Sequence, residues 1–203
     1  VYLYQLKHIN KIAGIQGGDY VLKMTAKKLG ELCGKKVFRI TGKRFLVLTD
    51  SLEEYEYYLT QLKQIFDVNI KMDVEHKTIE TPAILSGIIN AEKLGESELI
   101  LEYAEYLETL SVQSGLTEVI QDDRQTMNGF LYNKRVEKYL HTAITKDLFE
   151  VYYQPVYSTK EKRFLTLEAL SRLHHPELGW IAPDVFIQIA EKNHMIEQIT
   201  DLQ

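Results

Sequence analysis

The sequence predicts a mixed α/β fold, because segments with helical periodicity alternate with segments typical of strands. Apolar residues recur at helical spacing over residues 22–33 and again over 52–66, which indicates amphipathic helices. Over residues 68–75 apolar and polar residues alternate with a period of two, which indicates a strand buried on one face. Helices that alternate with strands in this way predict a sheet flanked by helices.

The composition excludes several classes of protein. The 203 residues are 45% hydrophobic and 26% charged, with a single cysteine and a net charge of −5. This predicts a globular core without an internal disulfide, and it argues against long nucleic acid as a partner. No apolar run approaches the roughly 20 residues of a membrane span. We expect a cytoplasmic location without membrane contact from these residues, although other regions of a longer parent protein would be able to anchor it.

The first elements predicted are a strand, a helix and a hairpin. Residues 1–9 are β-prone, and the helix over residues 22–33 should end near Gly34. Two short β-prone segments then flank Thr41-Gly42, which is typical of a hairpin. Lys43 and Arg44 follow this turn directly. The sequence leaves open whether these two cations are solvated or meet a phosphate.

Further along the first half, Ser51 and Glu54 have the spacing of a capping box at the start of a helix. After the strand predicted over 68–75, helical pattern returns from about Pro82 and is interrupted near residues 94–98. The second helix of this pair carries an apolar stripe formed by Ile100, Tyr103, Leu107 and Leu110.

A polar stretch over residues 111–128 is the best candidate for a domain boundary. It precedes a predicted long helix over about 128–145 and two predicted strands, "FEVYYQPVY" and "RFLTLEALSRL". A helix follows with Pro183 in its first turn, which suits the fixed backbone angle of proline. Trp180, just before that helix, is expected to be a packing residue.

Glu168 is the residue whose environment is most unusual, since it lies in an otherwise apolar strand. A buried carboxylate is costly unless a cation, a metal or hydrogen bonds offset its desolvation. Glu168 should therefore have a partner. Periodicity leaves two alternatives open, an ion pair with Arg172 and a metal-binding carboxylate at a strand end.

The segment from Tyr152 to Ile199 resembles the opening of the bacterial EAL domain, the cyclic di-GMP phosphodiesterase family. The matching residues are Gln154-Pro155, Glu168-Ala169-Leu170, Arg172, His175-Pro176, Gly179, Pro183, Phe186 and Ala190-Glu191. The resemblance implies a TIM-type barrel that hydrolyses cyclic di-GMP with Mg²⁺ or Mn²⁺. It also implies that Glu168 binds the metal, that Arg172 contacts a phosphate of the dinucleotide and that Gln154 lies in the substrate pocket.

This barrel should be incomplete in the chain. A TIM barrel takes about 250 residues, whereas only 56 residues remain from Leu148 to Gln203. The remaining metal ligands of the family would lie downstream, and a two-metal reaction needs both ions. We therefore expect this fragment alone to be inactive and to need no cofactor, with cyclic-guanylate-specific hydrolysis confined to the full-length parent.

The first half resembles the GGDEF domain, the diguanylate cyclase family, with its N-terminal part missing. Lys7, Ile9, Asn10, Gly18, Asp19 and Leu22 match that family's pattern, and "FRITGKRFLVL" stands at the signature hairpin. The signature is degenerate, because Thr41 replaces a glycine, Lys43 an acid and Arg44 the metal-binding glutamate. Tyr2 stands at the first metal aspartate. Since the cyclase reaction needs Mg²⁺ held by carboxylates, we expect no cyclase activity.

Lys7, Asn10 and Asp19 are the candidate nucleotide-binding residues of this degenerate domain. The resemblance assigns Asn10 and Asp19 to base and ribose contacts, although either side chain also suits a turn or a helix cap. The predicted organisation is a degenerate GGDEF domain over 1–120, a linker helix over 121–147 and the start of an EAL domain over 148–203. Cyclic di-GMP is the expected partner, and GTP and a homodimer remain open. The alternative function is a non-catalytic nucleotide-binding or dimerisation module.

Overall fold

The computed structural model describes residues 1–67, 72–74, 77–79, 83–89, 91–114 and 120–200. The chain divides into two compact units, Val1–Thr126 and Met127–Gln203. This division falls within the polar stretch that the sequence predicts as a boundary. Both units combine helices with small, mostly antiparallel sheets, so the prediction of a mixed α/β fold is confirmed. None of the helices in the described ranges has the length and apolarity needed to span a membrane.

The first helix, α1, runs from Leu6 to Cys33 and is divided by a kink at Gly14. Gly14 has φ 69° and ψ 179°, a conformation that glycine adopts more readily than other residues because it has no Cβ. The helix begins well before Leu22, so the prediction of β structure over residues 1–9 is wrong from Leu6 onward. The predicted end near Gly34 is confirmed.

A hairpin of β1 (Val37–Thr41) and β2 (Arg44–Val47) follows α1, as the sequence predicts. Tyr2 forms isolated bridges with both Arg44 and Ile84. The start of the chain therefore lies between the hairpin and a later segment and extends their hydrogen bonding.

The next elements are α2 (Leu52–Asp67), β3 (Met72–Val74) and β4 (Lys77–Ile79). The helix agrees with its predicted periodicity. β3 lies within the strand predicted over 68–75, and the other residues of that prediction are outside the described ranges. β3 pairs antiparallel with β4.

The helix predicted from about Pro82 is wrong over residues 83–89, whereas Ala91–Leu94 form a short 3-10 helix; Pro82 itself lies outside the described residues. Ala83, Ile84 and Leu85 are buried, and β5 (Ser86–Gly87) pairs parallel with β6 (Ile120–Gln121). A short apolar run does not distinguish a buried strand from a helix by its periodicity. The predicted second helix is confirmed as α3 (Ser97–Ser114).

The core of the first unit lies where α1 packs against α2 and the bridged strands. Its buried members are Leu3, Ile9, Val21, Leu22, Leu29, Phe45, Leu62, Phe66, Ala83 and Leu85. Ile9 lies on α1 before Gly14, and three further members, Val21, Leu22 and Leu29, lie on α1 after it. Both parts of the kinked helix therefore contribute to one core.

Helix α4 runs from Arg124 to Thr145, and the second unit begins within it at Met127. A three-stranded antiparallel sheet follows. Its strands are β7 (Phe149–Ser158), β8 (Arg163–His175) and β9 (Gly179–Ile181), followed by α5 (Pro183–Lys192) and α6 (Ile196–Thr200). The two longer strands and the proline at the start of α5 are confirmed, whereas β9 was not predicted.

The core of the second unit joins α4 to one end of this sheet and to α5. It contains Val136, Leu140, Ala143, Leu173, Ile181, Phe186, Ala190, Met195 and Ile199. The helix that the sequence predicts as a linker therefore contributes a buried apolar face to this core.

Candidate functional site

The β7–β8 hairpin brings two of the predicted site residues together. Its antiparallel register places Gln154 directly opposite Glu168. Directly opposed residues project from the same face of a sheet with their Cβ atoms about 5 Å apart. The carboxylate and the amide therefore share one face, and both side chains are exposed.

Arg172 lies on the same face of β8, four residues after Glu168. At about 3.3 Å per residue, the two Cα atoms are roughly 13 Å apart along the strand. The guanidinium of Arg172 donates from Nη1 to the carbonyl oxygen of Ser171 at 2.9 Å, and its Cζ lies 5.7 Å from the ring centre of Tyr152. Arg172 thus faces an aromatic ring, and the predicted ion pair with Glu168 is not formed.

A cleft of about 570 Å³ opens beside Arg172. It is lined by Tyr152, Arg172, Trp180, Ile181, Ala182 and Pro183. The volume lies within the range of small-molecule sites. The cleft therefore combines two aromatic side chains with one guanidinium at the start of α5.

Tyr152 and Trp180 are the residues of this cleft that sequence reasoning missed. Tyr152 precedes Gln154 by two residues in a strand, so alternation would have placed both on one face. Trp180 lies in β9, a strand that the pattern did not predict, and pairs there with His174 of β8. Its indole is 54% exposed, so the expectation that it is mainly a packing residue is wrong.

Glu168 is solvated, and this removes the reason to expect a compensating partner. It is exposed, and within the described ranges it has no ion pair. The expectation of a buried carboxylate treated the apolar strand as covered on both faces, whereas this face of the hairpin is open.

The described residues supply few ligands for a divalent cation. Glu168 and Gln154 offer the hard oxygens that Mg²⁺ and Mn²⁺ prefer, but Mg²⁺ takes six of them in near-octahedral geometry. No group of three or more His, Cys, Asp or Glu side chains in the described part of the chain is arranged to hold a metal. These residues alone do not form a complete metal centre.

The three residues predicted to bind nucleotide all lie on α1. Lys7 and Asn10 are three residues apart and therefore neighbours on the helix before the kink. The Asn10 side chain lies so close to Gly18 that its Oδ1 occupies the space a Cβ would need there. The kink at Gly14 thus brings Asn10 beside the turn that carries Asp19. All three candidate side chains are exposed.

The hairpin cations contact the start of the chain. Lys43 Nζ lies 4.8 Å and Arg44 Cζ 5.1 Å from the ring centre of Tyr2. Leu3 N also donates to Lys43 O at 2.9 Å. Tyr2, Lys43 and Arg44, the residues that the predicted resemblance sets at acidic positions of the GGDEF pattern, are therefore neighbours.

Arg44 forms an ion-pair network with α3. Its Nε donates to Glu108 Oε2 at 2.7 Å and its Nη1 to Glu105 Oε1 at 2.9 Å. Glu108 is 6% exposed. Burial raises the pKa of Glu108, while the hydrogen bond and charge of Arg44 oppose that rise. The sequence left open whether the hairpin cations are solvated or meet a phosphate. Arg44 does neither, because Glu105 and Glu108 balance its charge within the first unit.

Comparison with family models finds a match in the C-terminal third of the chain. Residues 137–203 match the family model described as the EAL domain. The match includes Gln154, Glu168 and Arg172. It begins within α4, the helix that the sequence predicts as a linker.

Curated relatives extend the similarity to the whole chain. The chain is 26% identical to the cyclic di-GMP phosphodiesterase NbdA of Pseudomonas aeruginosa, over 98% of this chain and 26% of that protein. It is 27% identical to the signaling protein YkoW of Bacillus subtilis, over 97% of this chain and 25% of that protein. The probable cyclic di-GMP phosphodiesterase PdeN of Escherichia coli is 48% identical over 29% of this chain and 11% of its own length.

The chain spans about a quarter of the length of the curated relatives that it matches from end to end. A solved structure of Vibrio cholerae LapD, comprising S helix, GGDEF and EAL, covers 99% of this chain and 47% of its own, with 13% identity and a TM-score of 0.35. That similarity is too low to carry an argument about the fold. The GGDEF assignment stays a prediction, and the EAL domain at residues 137–203 is the part of the resemblance that the comparisons confirm.

Proposed function

We propose that this chain is part of a bacterial cyclic di-GMP signalling protein in which the EAL region hydrolyses cyclic di-GMP. The observation that carries the proposal is the β7–β8 register. It sets Gln154 opposite Glu168 on the face that also holds Arg172 and its cleft. The similarity to EAL domains and to named cyclic di-GMP phosphodiesterases supports the same substrate class.

The proposed roles divide the binding of cyclic di-GMP among three side chains. Arg172 retains guanidinium donors beyond the one bonded to Ser171, and a guanidinium suits the paired oxygens of a phosphate. Gln154 offers an amide donor and acceptor beside Glu168. Glu168 would be one carboxylate ligand of Mg²⁺ or Mn²⁺, and the remaining ligands would come from residues beyond those described.

The first unit is proposed to be a degenerate GGDEF domain that makes no cyclic di-GMP. Tyr2, Lys43 and Arg44 stand at the positions of the family's acids and contact one another. Arg44 is already committed to Glu105 and Glu108. A guanidinium and an ammonium in this neighbourhood repel a divalent cation, which supports the absence of cyclase activity.

The three regions of the chain are proposed to have different roles. Residues 1–120 would regulate, 121–147 would connect and 148–203 would begin the phosphodiesterase. Lys7, Asn10 and Asp19 would bind GTP if this regulation depends on a nucleotide. Their exposure beside the Gly14 kink is compatible with that role.

The test is hydrolysis of cyclic di-GMP by the longer parent protein with Mg²⁺ or Mn²⁺, followed by separation of the linear dinucleotide. Turnover is the expected result. No turnover, together with retained binding of cyclic di-GMP, would contradict the proposed reaction.

That second outcome would favour a non-catalytic cyclic di-GMP or GTP sensor, whereas self-association without nucleotide binding would favour a dimerisation module. The observation in favour of this alternative is that no group of three or more His, Cys, Asp or Glu side chains among the described residues is arranged to hold a metal. Measuring nucleotide binding and the oligomeric state of the parent protein distinguishes these alternatives from one another.

A further inference from the structure

Trp180 is an exposed aromatic residue held in a defined orientation. It is 54% exposed although it lies in β9. Its ring forms T-shaped contacts with His174, at 5.1 Å between ring centres, and with Tyr152, at 6.2 Å. Two ring contacts restrict the indole, while more than half of its surface remains accessible to a ligand.

The neighbours of Trp180 in the cleft have complementary chemistry. Arg172 lines the same cleft, and its Nη1 is bonded to the carbonyl of Ser171. A guanidinium has five N–H donors, so others remain for an anion. Proteins that bind single-stranded nucleic acid combine cationic groups for the phosphates with aromatic rings on which bases stack. The cleft, at about 570 Å³, has room for a base together with its phosphate.

We propose that Trp180 is the base-stacking residue of this cleft and holds one guanine of cyclic di-GMP while Arg172 contacts the adjoining phosphate. Tyr152 supports the indole through its edge contact. The inference rests on the proposed function, because it assigns the ligand class of the same cleft. It adds an affinity-determining residue that the resemblance and the comparisons do not assign.

The test uses the fact that Trp180 is the single tryptophan among the 203 residues. Cyclic di-GMP is titrated into the unchanged chain while tryptophan fluorescence is recorded with selective excitation, and calorimetry measures binding independently. Stacking of guanine on the indole is expected to quench the fluorescence. The quenching and the heat should saturate with the same dissociation constant.

Two substitutions at Trp180 separate stacking from general packing. Trp180→Ala should weaken binding by about 5- to 160-fold, the range that follows from loss of one base–aromatic stack. Trp180→Phe retains a ring and should stay within about fivefold of the unchanged chain. Tyr153→Ala is the matched control, because Tyr153 is also exposed but alternates to the opposite face of β7. It should leave affinity unchanged.

The possible outcomes bear on the two proposals differently. Binding without quenching, with equal affinity of the Trp180→Ala chain, overturns the stacking role and leaves the proposed function standing. No binding by the unchanged chain also overturns the stacking role. Failure of the proposed function is recognised separately, by absence of hydrolysis in the parent protein. Circular dichroism of each variant checks its folding, and an equal loss in Tyr153→Ala would also overturn the assignment.

Discussion

Glu168 and Gln154 form the most specific pair of the candidate site, since an antiparallel register sets them opposite each other. We predict that Glu168→Ala in the parent protein lowers cyclic di-GMP hydrolysis at least about 100-fold, because even an outer-shell partner of a metal site contributes 10- to 100-fold. Turnover measured at saturating substrate checks this. Glu161→Ala is the control, since Glu161 pairs only with Arg163 in the exposed turn and should retain activity. Equal turnover of Glu168→Ala and the unchanged protein would contradict the assignment.

The ion pair between Arg44 and Glu108 involves a buried carboxylate, since the side chain of Glu108 is only 7% exposed. Arg44→Met leaves the buried Glu108 carboxylate without its nearest cation. Near neutral pH we expect a loss of about 3 kcal/mol in the free energy of unfolding, measured by urea denaturation. Glu105→Gln removes only the more exposed pair and should cost less than about 1 kcal/mol.

The same pair predicts a pH dependence. Burial raises the pKa of Glu108 in the folded state, so protonation favours folding and its stabilising effect is lost as pH rises through that folded pKa. Arg44 limits the loss by stabilising the carboxylate. The destabilisation caused by Arg44→Met should therefore shrink as pH is lowered and Glu108 becomes protonated. A deficit that is constant with pH would contradict this coupling.

At the scale of elements, the start of α2 is fixed by a small network. Glu54 N donates to Ser51 Oγ at 3.1 Å, as the predicted capping box requires, whereas the Glu54 carboxylate accepts from Asp50 N at 2.8 Å instead of from Ser51 N. Lys36 Nζ reaches both Glu54 and Asp50. The network therefore joins α2 to the turn that precedes β1.

We predict that Ser51→Ala lowers the free energy of unfolding by about 1 kcal/mol, because one helix N–H loses its side-chain acceptor.

Glu54→Gln tests how much the charge of the Glu54 carboxylate contributes to stability. The hydrogen bond from Lys36 lowers the pKa of Glu54, so its contribution is present above the unfolded pKa and is lost as pH falls through the folded value. Chemical denaturation across the acidic pH range should show the free energies of unfolding of Glu54→Gln and of the unchanged chain converging as the pH falls. Persistent divergence at low pH would exclude the ionic contribution.

Elements were predictable from sequence where one periodicity continued for several turns or alternations. α2 has this property and buries Leu62 and Phe66, whereas the β1–β2 hairpin and the β7–β8 strands follow from β-prone segments on either side of a polar turn. Residues 83–89 do not have this property, since Ala83, Ile84 and Leu85 are all buried and a uniformly apolar run lacks a period. β9 is only three residues long, too short to produce an alternation.

The candidate site was predictable to the same extent. Gln154, Glu168 and Arg172 follow from the family motif, and the strand period places them on one face. The cleft beside Arg172 depends on Trp180, whose position comes from cross-strand pairing with His174. Likewise the carboxylates that pair with Arg44 lie on α3, more than 60 residues away in sequence. Such long-range contacts are set by tertiary packing and leave no local pattern.

At the scale of the whole molecule, each of the two units has its own buried core. α4 contributes Val136, Leu140 and Ala143 to the second core, and the EAL match starts at residue 137 within it. A truncation of the second unit at residue 148, as the predicted domain boundary suggests, would remove this packing face. Retaining α4 is therefore the appropriate choice for any separate study of the EAL region.

The last prediction concerns hydrolysis by the chain and by its parent protein. We expect no hydrolysis of cyclic di-GMP by the 203 residues alone, because the described part has no group of three or more His, Cys, Asp or Glu side chains arranged to hold a metal, whereas a two-metal reaction needs ligands for both ions. The parent protein should hydrolyse it with Mg²⁺ or Mn²⁺ and lose turnover when the metal is chelated.

Turnover that rises on addition of GTP would support regulation through Lys7, Asn10 and Asp19. Asn10→Ala should then abolish the rise without lowering basal turnover. A GTP effect that survives Asn10→Ala would exclude this site, and hydrolysis by the chain alone would show that its own residues suffice for the reaction.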